Sequence, residues 1–527
     1  MTDKRADWIC RNYDELKSQR GTWENHWQEI VDYTLPRKDQ VTQRTTPGEK
    51  KNYKIYDTSA PHSLEILASG LHTMLTNPAV LWFGLQTGIA ELDDRDDVRK
   101  WLQGSVRAVN NTLNASNFQE QIHEVYIDLA SIGTALLVME EDDETDVNFI
   151  SMQVSKAVLA ENKKKKINTV YMQLEYTGIQ LLEKYGESAF DELLISDLKR
   201  DPMKKWEVLH AVFPNDNFNP FNKHSMKKPF ASVHVLKEQK RVIREGGFDE
   251  FPFAAPRWTK ESNEIYGRSP AMKALPDTKL LNEVKRTVIV AKQKTIDPPM
   301  QAPDEGVVLP LRIGPGAINY YRAGTKDRIE PLLSGLDSNS ADSFMEQLRF
   351  QIREAFFVDQ LQLQDGPQMT ATEVLQRTEE KLRVMGPILG RLHNELLKPI
   401  IDRVFTVLLN KGKLPPNMPE VLQGRDLEVQ YASMIARSQK AGEAENINRV
   451  FGMLAPVMQI DPNIVDNFDL DKYARHLGRL FNMPQELMVD QDDLEDTRKA
   501  KAEAAQQVAA QQAEAQEADN ISKLQQG

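Results

Sequence analysis

The sequence contains a single cysteine, Cys10, among 527 residues. One thiol excludes a disulfide framework within the chain and a zinc site built from several cysteines. It fits a protein that is made and kept in a reducing cytosol. We also expect no secretory signal, because residues 1–7 are charged and no apolar segment follows them.

Long hydrophobic runs are scarce as well. The longest stretch without a charged residue, 66–90, contains His72, Asn77, Pro78 and Gln86. A membrane helix needs about 20 predominantly apolar residues. We therefore expect a buried helix, a turn and a strand in this stretch, and no membrane association.

Recognisable catalytic and nucleotide-binding motifs are absent. The chain lacks a Walker-type phosphate loop, a Gly-x-Gly-x-x-Gly turn, a His-Glu-x-x-His zinc motif and a Gly-x-Ser-x-Gly nucleophile elbow. The acidic run 140–146 is a conceivable cation site, but without EF-hand spacing or a loop glycine it is better interpreted as a solvated hairpin tip. The basic run 163–166 is likewise interpreted as a solvated turn. We expect no metal, no cofactor and no enzymatic activity.

Acidic residues outnumber basic ones. There are 78 Asp and Glu against 66 Lys and Arg, so the net charge is −12. A protein that wraps nucleic acid needs a basic face, so this balance argues against that class. It does not exclude a protein along whose surface DNA slides. Hydrophobic residues make up 40% of the chain, which is enough for a sizeable core and excludes a wholly disordered protein.

The spacing of apolar residues predicts an α+β first half. A helical period predicts one N-terminal helix that runs to Pro36, and further helices near 63–75, 93–109, 118–132 and 179–185. A period of two predicts strands near 81–85, 135–139, 147–151, 158–159, 167–176, 208–213 and 232–235.

The second half is predicted to be mainly helical. A helix over 270–295 has an apolar stripe of Leu281, Val284, Val288 and Ala291, and 297–299 ends it. A Pro- and Gly-rich segment, 298–337, predicts a small β insert. The next helix, 340–358, has Phe344, Leu348, Ile352 and Phe356 on one face.

The predicted elements beyond residue 358 are a loop, a long helix and several short ones. The polar loop 359–369 precedes a capping box, Thr370-Ala-Thr-Glu373, and a helix that continues to Asn410 with kinks at Pro387 and Pro399. Short helices follow over 438–485. The Ala- and Gln-rich segment 500–518 is either a frayed tail or a helix that packs against identical copies.

Eight short segments of the second half stand out by their order and spacing. They are Pro256-Arg-Trp258, Ile265-Tyr-Gly-Arg-Ser-Pro270, Ala274-Leu-Pro-Asp277, Leu281-Asn282, Asp297-Pro-Pro-Met300, Thr370-Ala-Thr-Glu373, Gly386-Pro-Ile-Leu389 with Arg391, and Glu395-Leu-Leu-Lys-Pro399. Together with 82–83, 178–182 and 208–210, they resemble the head-to-tail connector (portal) family of short-tailed (podovirus) bacteriophages. The resemblance extends from residue 14 to residue 498, and only the order of the motifs makes it specific.

The resemblance implies an α+β, mainly helical portal fold that assembles as a ring around a central DNA channel. The implied parts are a wing (1–266), a first stem helix (267–296), a clip (297–339), a second stem helix (340–358), a tunnel loop (359–369), a long kinked wing helix (370–412), a crown (413–490) and an Ala/Gln-rich barrel helix or tail (491–527).

The resemblance also implies the function. A ring of twelve copies would occupy one capsid vertex of the virion after assembly in the host cytoplasm. Double-stranded DNA would pass through it without sequence specificity during packaging and ejection. The implied protein partners are the terminase, the major capsid protein, the scaffold, a tail adaptor and internal core proteins.

Three sets of residues become candidates on this basis. Tunnel-loop candidates that would contact DNA are Gln360, Gln362, Gln364 and Gln368. Stem candidates that would form circles of positive charge are Lys279, Lys285, Arg286 and Lys292, although such residues more often form salt bridges with neighbouring helices. Clip candidates for contact with the motor and the adaptor are Ile313, Tyr320 and Tyr321.

Two alternatives stay open from the sequence. One is a different structural protein of the virion, such as a scaffold or an internal ejection protein. The other is a nucleic-acid-processing enzyme with an unfamiliar site.

Overall fold

The fold is described from a computed structural model. It describes residues 3–38, 41–42, 48–49, 54–93, 95–216, 218, 225–297, 300–301, 318, 330–331, 338–361, 385–422, 424, 427–431, 443–444, 446–456, 467–480, 483, 487–489, 493–494 and 496–508. The chain divides into two compact units. The first comprises 1–73, 120–140 and 149–399, and the second comprises 74–119, 141–148 and 400–527.

Helices dominate the described chain. They are α1 (Lys4–Gln19), α2 (Gly21–Thr34), α3 (Ser59–Leu75), α4 (Ala90–Asp93), α5 (Asp96–Ala115), α6 (Phe118–Ser131), α7 (Gly178–Tyr185), α8 (Glu192–Arg200), α9 (Pro270–Ile296), α10 (Ser338–Ala355), α11 (Val358–Leu361), α12 (385–392), α13 (Lys398–Asn410), α14 (446–456), α15 (Leu470–Leu480) and α16 (496–508).

All strand pairings with a described register are antiparallel. The strands are β1 (Phe83–Gln86), β2 (Leu136–Glu141), β3 (Val147–Met152), β4 (Ala157–Glu161), β5 (Ile167–Thr177), β6 (Lys205–Pro214), β7 (Phe230–Leu236), β8 (Arg241–Phe248), β9 (Phe253–Ala254), β10 (Met300–Gln301), β11 (Glu330–Pro331) and β12 (Glu428–Tyr431). The expectation of a mixed α+β, mainly helical chain is therefore confirmed.

A five-stranded sheet of order β4-β5-β6-β7-β8 organises the first unit. Helix α1 contributes Ile9 and Tyr13 to a cluster that includes Val233 of the sheet. A second cluster combines Leu181 of α7 and Leu198 of α8 with other residues of the same strands. Helices therefore cover both faces of the sheet, and the central strand β6 is buried along most of its length.

The N-terminal helix differs from the prediction. The structure has two helices, α1 and α2, instead of one that runs to Pro36. They meet at Arg20, whose buried guanidinium donates to Val154 O at 3.0 Å and to Ser155 O at 2.8 Å. Apolar periodicity continues across this break, so spacing alone predicts a single helix. The side chain of Arg20 satisfies carbonyl groups beside β4 that would otherwise be buried without a partner.

Two glycines allow a close crossing of the backbone before α9. Gly133 has a φ of +86°, and a Cβ there would lie 2.5 Å from Gly267 O. A Cβ on Gly267 would lie 2.4 Å from Gly133 O. Gly267 N also donates to Thr134 Oγ1 at 2.7 Å. Only glycine fits at both positions, which explains the glycine within the Ile265–Pro270 segment.

Two histidines face each other inside the five-stranded sheet. His210 on β6 pairs with His234 on β7, and their rings stack 3.9 Å apart. His210 Nε2 lies 2.9 Å from Ser232 Oγ, and His234 Nδ1 lies 3.0 Å from the Tyr185 hydroxyl. Burial lowers the pKa of His210 to about 3. Burial, and then the neighbouring His210, lower the pKa of His234 well below its usual range.

Because both imidazoles are neutral when folded, the unfolded chain binds more protons below about pH 6.5. The contribution of the two rings to the free energy of unfolding is therefore fully present above about pH 6.5 and is lost as the pH falls below that value. We expect each ring to lower the free energy of unfolding by about 1.4 kcal/mol per pH unit in this window, measured by urea unfolding.

Replacement of one ring tests this expectation. His234→Phe should reduce the pH slope, whereas the exposed His62→Gln serves as the control and should leave it unchanged. Equal slopes in the wild-type chain and His234→Phe would contradict the assignment.

Candidate functional site

Helix α9 begins at a capped N-terminus. Ser269 Oγ accepts a hydrogen bond from Met272 N at 3.0 Å and donates one to Ser131 O at 2.6 Å. Pro270 occupies the first helical position, where no backbone N–H is needed. The C-cap is Asp297, as the sequence Asp297-Pro-Pro predicts. The predicted helix is thus confirmed almost to the residue.

Apolar residues occupy more than one side of α9. Leu281 and Val288 are buried, as the predicted stripe requires. Val290 is 43% exposed and lies on the opposite side of the helix, at 100° per residue. Leu280, between these two sides, is 45% exposed. Helix α9, with apolar residues on opposite sides, thus has a second face that the described part of the chain leaves exposed.

Helix α10 packs against α9 and has the same property. Its buried positions are Met345, Leu348, Ile352 and, just after the helix, Phe356. The prediction placed Phe344 in this stripe, but Phe344 is 42% exposed, because Met345 is better aligned with the other three. Phe350, on the opposite side, is 52% exposed.

One buried carboxylate joins both helices to the start of α3. Asp57 Oδ2 accepts from Lys285 Nζ of α9 at 3.0 Å and from Arg349 Nη2 of α10 at 2.8 Å. Its Oδ1 accepts from Ser59 N at 2.9 Å, and its own N donates to Asn282 Oδ1 at 3.0 Å. Burial opposes ionisation, but the hydrogen bonds from Ser59, Arg349 and Lys285 outweigh it and lower the pKa of Asp57 below its usual range.

Two of the stem candidates bind carboxylates of the same chain. Lys279 forms an ion pair with Glu29 of α2, and this hydrogen bond raises the pKa of Lys279. Lys285 binds Asp57, as described above. Both lysines therefore form salt bridges with other parts of the chain, which is the alternative stated for the stem candidates.

The other two stem candidates are more exposed. Arg286 Nη1 lies 3.7 Å from Glu283 Oε2, one turn earlier on α9. Lys292 is exposed, and its ammonium group has no ion pair within the described part of the chain. Contact of these four residues with DNA stays a prediction.

The predicted tunnel loop begins with helical residues. Residues 359–361 belong to α11, which follows a turn at Phe357 with a φ of 58°. Gln360 is half-buried, and its Oε1 is buried without a hydrogen-bond partner among the residues that the structure describes. The prediction of a loop at these three positions was wrong, because the apolar run of α10 continues past the turn through Val358 and Leu361. Gln362, Gln364 and Gln368 lie outside the described residues.

Several other predicted features are also outside the described residues. They include the capping box Thr370–Glu373, the clip candidates Ile313, Tyr320 and Tyr321, and residues 509–527. Within the segment predicted as a β insert, Met300 and Gln301 pair antiparallel with Pro331 and Glu330. That pairing agrees with a β insert between α9 and α10.

The helix is irregular just before Pro399, where a kink was predicted. His393–Leu397 form a π-helical turn between α12 and α13. Proline removes a backbone donor and clashes with the preceding turn, and a π turn relieves both effects. The carboxylate of Glu395, within this turn, accepts from Arg257 Nη2 at 2.6 Å and from Arg257 Nε at 3.1 Å.

Arg257 is the centre of a buried ion cluster. Its side chain is 3% exposed and also pairs with Glu161 at the end of β4, which Lys260 contacts as well. Further hydrogen bonds go to Ile265 O at 3.3 Å and Lys165 O at 3.2 Å. In the sequence, Arg257 and Glu395 stand out only as parts of motifs. Their pairing, across 138 residues, leaves no signal in the local spacing.

The acidic hairpin 140–146 is only in part the solvated tip that was predicted. Asp143 and Glu144 are exposed, but Asp146 is buried and accepts from Lys413 Nζ at 2.6 Å and Lys411 Nζ at 3.2 Å. Among the described residues, no group of His, Cys, Asp and Glu could hold a metal ion. In the same residues, no helix combines the length and apolar character of a membrane span.

The sequence comparisons identify the family. The profile of the bacteriophage head to tail connecting proteins matches residues 6–489. The chain therefore belongs to this family, and the resemblance inferred from the order of its motifs is confirmed.

Named relatives cover nearly the whole chain. The "Probable portal protein" of Bordetella phage BPP-1 is 32% identical over 98% of this chain and 94% of the relative. The "Portal protein" of Salmonella phage epsilon15 is 29% identical over 96% of this chain and 93% of the relative. The "Portal protein" of Enterobacteria phage T3 is 20% identical over 86% and 83%.

Removal of the Arg257 guanidinium should be strongly destabilising. Arg257→Ala leaves the buried Glu161 and the Glu395 carboxylate without their main partner, at an expected cost of about 3–5 kcal/mol in urea unfolding. Arg268→Ala removes an exposed pair with Glu264 and should cost less than about 1 kcal/mol. Similar values for the two variants would show that the cluster does not hold the fold.

Proposed function

We propose that this chain is the portal protein at one capsid vertex of a tailed bacteriophage. In this role it forms a closed ring through which double-stranded DNA is packaged and later ejected. Family membership over residues 6–489 supports the role in joining head and tail. The structural observation that supports a ring is the exposed apolar face on each of α9 and α10.

A closed ring needs a heterologous interface, in which one surface of a copy fits a different surface of its neighbour. Val290 of α9 and Phe350 of α10 each lie opposite the buried stripe of their helix. Neighbouring stem pairs around an axis would cover both residues. Twelve copies of 60.1 kDa give a ring of about 720 kDa.

The charge of the chain suits passage of DNA. A net charge of −12 per copy prevents tight binding of phosphates along the channel, so that DNA slides. In the proposed ring, Lys292 forms a circle of unpaired positive charge on the stem, which slows DNA without holding it.

The family assignment also supplies the remaining roles. The segment 297–339 is the clip that meets the terminase first and a tail adaptor afterwards. The wing faces the major capsid protein and the scaffold, and the crown faces the internal core proteins. None of these roles involves catalysis or a cofactor.

The ring is tested by the mass of the purified chain in solution, by light scattering, with negative-stain images of the same fraction. We expect a mass of about 720 kDa and a central hole, with scaffold protein added where assembly requires it. A chain that stays monomeric with scaffold present would contradict the proposal.

The interface is tested by Val290→Asp and Phe350→Asp. Each places a charge in the expected contact, so we expect monomers of unchanged thermal stability. Leu193→Asp is the matched control, because Leu193 is 84% exposed on α8 and should tolerate the charge in an intact ring. Intact rings of all three variants would contradict the stem interface.

The role of the stem charge is tested by Lys292→Glu. Rings should form normally, but the yield of full-length packaged DNA should fall. Lys273→Glu makes the same charge change at an exposed position near the start of α9 and serves as the control. Lys285→Glu is unsuitable, because it breaks the Asp57 cluster. Packaging equal to the control would contradict a channel role for Lys292.

A further inference from the structure

The β4–β5 hairpin carries an isolated basic tip, residues 162–166. Lys163, Lys164, Lys165 and Lys166 are consecutive and exposed. None of their ammonium groups forms an ion pair within the described part of the chain. Four adjacent like charges repel one another, so the tip is destabilising unless an anionic partner approaches.

The basic tip is held in a fixed shape. Asn162 N donates to Lys166 O at 2.9 Å, which closes the loop. Asn162 Oδ1 accepts from Lys164 N at 2.8 Å and Lys166 N at 3.1 Å. The buried Arg257 donates to Lys165 O at 3.2 Å. The lysines therefore extend from a rigid base, which favours recognition of a defined surface over contact with a flexible one.

The β2–β3 hairpin ends in an acidic tip, residues 142–146, of the same design. Asp142 N donates to Asp146 O at 3.0 Å, and Asp142 Oδ2 accepts from Glu144 N at 3.1 Å and Thr145 N at 2.8 Å. Asp143 and Glu144 are exposed, and their carboxylates form no ion pair in the described part of the chain. The chain thus has two rigid five-residue tips of opposite charge.

We propose that, in the ring, the basic tip 162–166 of each copy binds the acidic tip 142–146 of its neighbour. This inference rests on the proposed ring. Two different and complementary patches on one chain are what a heterologous interface requires. Opposite charges on such patches fix the register of the contact and disfavour other orientations.

Another copy is a better partner for the basic tip than DNA. DNA binding needs an extended basic face, whereas this tip stands on a chain with a net charge of −12. The acidic tip also lacks a partner for Asp143 and Glu144, and a DNA ligand would leave both unpaired. A neighbouring copy satisfies both tips with one contact.

The test uses charge reversal of each tip in the full chain, with assembly followed by light scattering at about 0.1 M salt, where screening acts over about 10 Å. Lys163→Glu with Lys164→Glu changes the formal charge of the basic tip from +4 to 0 and places two carboxylates against the neighbour's acidic tip. Asp143→Lys with Glu144→Lys changes the formal charge of the acidic tip from −4 to 0 and places two ammonium groups against the neighbour's basic tip. Each double variant alone should need at least about tenfold more protein for half-assembly.

An equimolar mixture of the two double variants is the decisive measurement. When the two variants alternate around a ring, each contact joins either two unchanged tips or two altered tips whose charges are exchanged at the substituted positions, so the mixture should assemble within about threefold of the wild-type concentration. A folding defect would not be rescued in this way. Lys199→Glu with Arg200→Glu, at the exposed end of α8, is the control for net charge and should assemble normally.

If the wild-type chain forms rings, three outcomes would contradict the contact between the tips without contradicting the proposed function. They are normal assembly of both double variants, no rescue in the mixture, and normal assembly of Lys163→Glu with Lys164→Glu accompanied by weaker binding of a DNA duplex. A wild-type chain that forms no ring, with or without scaffold, would overturn the proposed function and this inference with it.

Discussion

The buried guanidinium of Arg257 is the interaction on which the first unit depends. It joins the end of β4 through Glu161, the segment before α9 through Ile265 O, and the π-helical turn through Glu395. These three stretches are far apart in the sequence. A buried charge persists only when it is paired and fully hydrogen-bonded, so the three partners have to arrive together. The start of α9, the base of the basic tip and the kink of the long helix are therefore set by one side chain.

A second buried charge joins helices α9 and α10. Asp57 holds Lys285 of α9 and Arg349 of α10, so the helix pair is fixed by ionic contacts at its inner side. The outer sides are left with Val290 and Phe350 exposed. In the proposed ring, apolar burial between copies and ionic anchoring within each copy would thus involve different sides of the same helices. This separation lets a helix pair be rigid as a monomer and still associate through its apolar surface.

The sequence predicted those parts of the fold that depend on local chemistry. The bounds of α9 follow from Ser269 and Pro270 at its start and from Asp297 before two prolines at its end. Pro399 likewise predicts a distortion, and a π turn is found before it. Local spacing failed where a distant partner decides the outcome. Arg20 ends α1 because carbonyl groups near β4 need donors, and Met345 replaces Phe344 because α9 selects the side of α10 that is buried.

The candidate site shows the same limit more strongly. Lysines spaced seven residues apart on α9 predict one charged face, yet Lys285 is bound to Asp57, whereas Lys292 has no ion pair among the described residues. The spacing of residues shows which of them share a face of a helix. It does not show which carboxylate from another element will pair with them. In a ring the distinction matters, because a lysine that is neutralised within its own copy contributes little to the field that DNA meets. Of these two lysines, only Lys292 has no ion pair among the described residues, so only Lys292 would keep its full charge in the proposed channel.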